Sequence, residues 1–225
     1  MTFDEVMQEL EKLGSEQTKS TYIKHGAMEP LFGVKTGDLK KLVKTIGKDQ
    51  ALSEQLFESG NSDAMYLAGL CIDPKLMSKE LLQQWVSEAY SYGLAEFTVA
   101  GVAAKSLFAL ELAREWIDSP AEMVAACGWS VWSLVLANAQ AGELSMDEIG
   151  GLLERAGAHI HGEQNRVRYA MNGFVISVGI YVPDLMEEAK ETAVSIGKVH
   201  VNMGKTACKV PLASEYIEKA LNRRK

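Results

Sequence analysis

The feature that most constrains the fold is a series of helix start and stop signals with no convincing strand alternation between them. Thr2 predicts the cap of a helix running to about Leu13, with Gly14 as its stop. Thr36 predicts the cap of the next clear helix, Leu39 to Ile46, ended by Gly47. Further starts are expected near Asp49, Asn61 and Ser78, and helices over roughly 94–108, 109–117, 120–139, 146–159, 164–181 and 183–196. The last opens at Pro211, suited to a first helical turn, and runs to the basic tail Arg223-Arg224-Lys225. Short connections force sequential helices to lie antiparallel. The prediction is therefore an all-α fold, an irregular α-solenoid of HEAT-like (armadillo-type) helical pairs with a concave surface. No linker divides residues 1–225, so one domain is expected.

No apolar run approaches the roughly 20 residues of a membrane span. The start, Met1-Thr2-Phe3-Asp4-Glu5, lacks the basic and apolar blocks of a signal peptide. Cys71, Cys127 and Cys208 are odd in number and far apart, which suits a reducing cytoplasm and argues against zinc. The four histidines show no ligand spacing either, so neither metal nor cofactor is expected.

Net charge is −7, which weighs against indiscriminate coating of nucleic acid. The charge is uneven, however: residues 1–50 balance to 0, residues 51–165 to −11 and residues 166–225 to +4. A phosphate-bearing partner is expected along the last third. There the helix beginning Asn165-Arg166-Val167-Arg168-Tyr169 has two chemically different faces. Val167, Ala170, Met171, Phe174 and Val178 share one apolar arc, and Asn165, Arg168, Tyr169 and Asn172 lie opposite. Such a polar face either holds something anionic, planar or hydrogen-bonding, or is a solvated face.

Downstream, Gly204-Lys205-Thr206 ends like a phosphate-binding loop. The required earlier glycine is Val199, and no strand precedes it, so nucleotide triphosphate binding is rejected. Lys198, Lys205 and Lys209 remain candidates for DNA phosphates, against the alternative of a solvated loop.

Tyr22-Ile23-Lys24-His25-Gly26, Leu31-Phe32-Gly33-Val34-Lys35, Leu39-Lys40-Lys41-Leu42 and Asn61-Ser62-Asp63-Ala64-Met65-Tyr66-Leu67-Ala68 resemble successive segments of the AlkD-type DNA alkylation repair proteins. The resemblance implies a HEAT-like solenoid that cradles duplex DNA in a basic concave cleft. It also implies N-glycosylase release of alkylated purines without a metal and without flipping the base into a pocket. Active members carry a tandem-tryptophan stretch followed closely by an aspartate. Here the corresponding stretch reads Gly93-Leu94-Ala95-Glu96-Phe97-Thr98-Val99-Ala100, with neither residue present. Glu96 is the candidate catalytic carboxylate in its place, and Phe97 the candidate aromatic, although adjacent helical residues point apart. The family's arginine on the following repeat is also missing, since Met123-Val124-Ala125-Ala126-Cys127 holds no base. Trp129 and Trp132, three apart, are read either as stacking faces or as core.

The sequence therefore predicts a DNA alkylation repair-like protein binding duplex DNA, damaged or branched, through Arg166, Arg168, Tyr169 and Asn172 and the three lysines. A monomer is favoured. Three readings stay open: an N-glycosylase using Glu96, a non-catalytic binder of altered or branched DNA, and a protein-interaction scaffold.

Overall fold

The computed structural model describes residues 1–138 and 144–223. The last residue of the predicted 120–139 helix, and Arg224 and Lys225 of the basic tail, lie outside the described residues. Among the described residues there are thirteen α-helices and no strand beyond one isolated bridge between Gly14 and Val34. They group into two compact units. One is Met1–Phe108 with Gly204–Thr206; the other is Ala109–Met203 with the C-terminal stretch from Ala207.

In the first unit, α1 (Phe3–Leu13) begins with a full capping box: Thr2 Oγ1 accepts from the Glu5 amide, and Glu5 accepts from the Thr2 amide. α2 (Glu16–Lys24) escapes the sequence reading because it buries none of its residues and so shows no apolar stripe. α3 (Thr36–Ile46) starts three residues before the expected Leu39: Lys35, not Thr36, stands at the cap, and Thr36 is already helical. α4 (Gln50–Glu58), α5 (Ser62–Cys71) and α6 (Lys79–Glu88) start at Asp49, Asn61 and Ser78, and each cap side chain accepts a first-turn amide.

α4 and α6 run parallel. Gln50 reaches Met77, and farther along Phe57 stacks on Trp85 with ring centroids 3.9 Å apart. The expected helix over 94–108 is instead a π-helical segment, Gly93–Val99, followed by the single turn α7 (Ala100–Ala103). The segment sits hard against α5, where a Cβ on Gly69 would come within 2.5 Å of Thr98 Cγ2.

The second unit repeats one motif. It comprises α8 (Ala109–Trp116), α9 (Glu122–Asn138), α10 (Met146–His159), α11 (Asn165–Tyr181), α12 (Met186–Ile196) and α13 (Ala213–Asn222). Pro211 lies two residues before α13, not inside it. The Arg166 amide donates to Glu122 Oε1 near both helix starts, and Phe174 meets the Trp129 ring at 5.1 Å farther on, so α9 and α11 run parallel. Asn172 meets Pro211 and Gly179 meets Ile217, which sets α13 parallel to α11. The intervening helices form the other layer: Arg114 pairs with Glu148, Arg155 with Asp118, and His161 with the Ile196 carbonyl. Partners in these pairs are 34 to 45 residues apart, close to the HEAT period of about 40–47 residues. Two parallel layers at that period are the geometry of stacked helical repeats.

Candidate nucleic-acid interface

α11 presents its polar residues as the 3.6-residue period requires, but the chain itself covers that face. Asn165 Nδ2 donates to the Asn202 carbonyl at 3.0 Å, and the Asn202 amide donates to Asn165 Oδ1 at 2.6 Å. The next residue, Arg166, is buried at 5% exposure, with its guanidinium 4.3 Å from the Tyr169 ring centroid and Nη1 3.7 Å from Met203 Sδ. Asn172 is 1% exposed and donates to the Pro211 carbonyl at 3.1 Å.

This corrects the expectation for Arg166 and Asn172. Arg166 is committed to Met203 and Asn172 to the Pro211 carbonyl, and neither stands open to a ligand. Arg168 and Tyr169 are half-buried and retain partial access. Arg168 Nε and Asn172 Oδ1, a turn apart, are buried and have no hydrogen-bond partner among the described residues. Lys198, Lys205 and Lys209 are exposed and form no ion pair among the described residues. They are the cations of this stretch that solvent reaches.

The aromatic candidates divide. Trp129 and Trp132 are 0% exposed, which corrects the stacking reading for both. Trp129 packs edge-on against Phe174 and beneath Arg155, whose Cζ lies 5.5 Å from the ring centroid. An interior indole contributes core packing and is unavailable to a base. Phe97, by contrast, is 60% exposed, while its neighbour Glu96 is 5% exposed. They are neighbours on one helical turn and so point apart; the turn is π-helical, with the Ala100 amide bonding back five residues to the Ala95 carbonyl. Phe97 is turned outward and Glu96 inward.

Phe97 stands at a pocket of about 330 Å³ that the sequence reading missed. Tyr22, Tyr66 and Tyr92 supply aromatic walls, and His25 lines it with them. Each is positioned by a specific contact. Tyr22 Oη donates to the Val34 carbonyl at 2.9 Å. Tyr92 lies on Gly26, whose φ of +83° no side chain adopts readily and whose missing Cβ would stand 2.9 Å from the tyrosine ring. Asp63, 3% exposed at the start of α5, accepts amide hydrogens from Phe32, Gly33 and Val34 at 2.7, 2.9 and 3.0 Å. Burial, and secondarily Tyr22, pushes the Tyr66 phenol above its ordinary value, so it remains a neutral donor. These residues come from four separate chain segments, so no local spacing could have announced the pocket. Its one sequence signal is Tyr22 and Tyr66, which lie within the segments that carry the family resemblance.

Comparison with known proteins places this geometry. The sequence matches the profile of a family described as DNA alkylation repair enzyme over residues 6–217. It is 40% identical to the uncharacterized protein Lin0241 of Listeria innocua over 228 residues, covering 99% of each chain. It is also 40% identical to the uncharacterized protein Lmo0209 of Listeria monocytogenes, covering 100% of each. A solved structure from "a new family of proteins related to the HEAT-like repeat DNA glycosylases with affinity for branched DNA structures" superposes with a TM-score of 0.92. That match has 41% identity and covers 100% of this chain and 95% of the other.

Proposed function

From the premise that this chain belongs to the DNA alkylation repair enzyme family, we propose that it binds branched DNA and holds it without excising a base. One observation carries the second half of this reading. Glu96 and Phe97 are the residues that stand in for the family's acid and aromatic, and they face opposite ways, at 5% and 60% exposure. Glycosidic cleavage of a cationic purine calls for a carboxylate near the sugar while the aromatic face holds the base. Here the carboxylate is interior and only the ring is presented.

The first half is supported by the structural neighbour, whose family is described by affinity for branched DNA, at 41% identity across the whole of this chain. Lys198, Lys205 and Lys209 are assigned to backbone phosphates, which position DNA without reading sequence. Arg168 and Tyr169 complete the assignment as half-buried side chains that reach the ligand from the edge of α11. Free cysteines, two of them buried, suit a reducing cytoplasm.

The test is competition binding between a three-way DNA junction and a linear duplex of the same length and composition, at fixed salt. The reading predicts preference for the junction of about tenfold or more, with both affinities falling as salt rises. Equal affinity for the two would overturn it.

A further inference from the structure

We propose that the Tyr22–Tyr66–Tyr92–Phe97 pocket receives a single unstacked nucleobase from the branch point of the bound DNA, an assignment that rests on the branched-DNA reading above. Its volume, about 330 Å³, lies at the small end of ligand pockets, which span about 300–1,000 Å³, and suits one flat heterocycle. Three tyrosine rings and the exposed Phe97 line it, the side-chain type on which a base stacks. Stacking on aromatic side chains binds any base, because every base has a π face.

The polar lining fits the edge of a base and not a phosphate. Thr36, Ser62 and Ser91 bring hydroxyls that both donate and accept, and His25 adds a ring nitrogen. Tyr66 contributes a phenol with no hydrogen bond to the described residues. No lysine or arginine lines the pocket, and the one charged group there is the Asp63 carboxylate. A negative charge repels the sugar–phosphate backbone and tolerates a neutral base. That carboxylate is itself held by three backbone amides, so the pocket is built before any ligand arrives.

A branch point also supplies the ligand at low cost. Extruding a base from intact duplex means breaking its pairing and stacking, a few kcal/mol, whereas an unpaired nucleotide at a junction has already lost most of both. A pocket of this kind would therefore discriminate junctions from duplex without reading sequence.

The test compares two three-way junctions that differ at one unpaired branch-point nucleotide: one carries the base, the other an abasic tetrahydrofuran. The whole protein is expected to bind the base-bearing junction at least about fivefold more tightly, the low end of single-base stacking. In Phe97→Ala, a substitution at an exposed position that leaves the core intact, the two affinities are expected to converge to within about twofold. A 5-iodouracil at the same nucleotide is expected to crosslink within residues 22–27, 36–39, 62–66 or 91–97. Equal binding of the two junctions by the unmodified protein, or crosslinks confined elsewhere, overturns the pocket while leaving branched-DNA binding standing. Absence of any preference for junctions over duplex overturns both.

Discussion

Asn165 and Asn202 exchange two hydrogen bonds, Nδ2 to carbonyl at 3.0 Å and amide to Oδ1 at 2.6 Å, and so fasten a loop to the first turn of α11. A face that helical periodicity marks as polar is thereby committed to the chain's own backbone. Only its partly open members, Arg168 and Tyr169, remain for a ligand.

Asn165→Ala removes both bonds and leaves the Asn202 amide to solvent. The loss expected is about 1–2 kcal/mol, since these two modest, exposed hydrogen bonds go together with the long 3.5 Å contact from Arg168 Nη2 to Asn165 Oδ1. The urea midpoint reports the loss. Faster hydrogen exchange confined to residues near 202 shows that it is local.

Asp63→Asn tests the clamp beneath the tyrosine pocket. The amide keeps one accepting oxygen but turns an NH₂ toward backbone N–H donors that the carboxylate now accepts. A loss of about 2–4 kcal/mol is expected, larger than for Asn165→Ala, because these bonds are buried and charge-assisted. An unchanged urea midpoint would show that loop 31–34 is held by other contacts.

The acid side of the stability profile should carry the mark of Arg114 and Glu148, joined at 2.6 and 2.8 Å by a two-pronged bond. The Arg114 hydrogen bond holds the Glu148 carboxyl below its ordinary value of 4.5. A depressed folded value stabilises above pH 4.5 and loses that stabilisation as the pH falls through the folded value. Both side chains are partly exposed, 52% and 29%, so screening limits the contribution to about 1 kcal/mol or less. Glu148→Gln should lower the urea midpoint slightly near neutral pH, and the difference from the parent should shrink as the pH falls below 4.5 and vanish once Glu148 is protonated in the folded protein.

How much of this was legible in the sequence depends on the range of the interaction involved. Thr2, Asn61 and Ser78 announced their helices because a cap bonds amides only two or three residues away. α2 was invisible because Glu16–Lys24 buries nothing, and periodicity records burial. The π-helical turn was invisible for another reason. It packs against α5 where Gly69 meets Thr98, a long-range contact that no local pattern encodes. The same holds at α11, where the groups covering Arg166 and Asn172 lie 37 and 39 residues downstream. Core and ligand-stacking tryptophans share one sequence signature, and only burial assigned Trp129 and Trp132 to the core.

The exposed lysines should account for a share of the salt dependence of DNA binding. Replacing Lys198, Lys205 and Lys209 with alanine is expected to weaken junction and duplex binding alike. It should also reduce the slope of log affinity against log salt by about 1 for each lysine that meets a phosphate. An unchanged slope would move the phosphate contacts elsewhere.

Most direct is the fate of the glycosidic bond in a complex known to be formed. A methylated three-way junction, saturated with excess protein at low salt, is assayed for released free purine and for abasic sites. With Glu96 interior and Phe97 alone presented, release is predicted to equal the protein-free blank while the junction stays bound. Release above the blank, abolished by Glu96→Gln in a variant that still binds the junction, would contradict the account and make the protein a glycosylase.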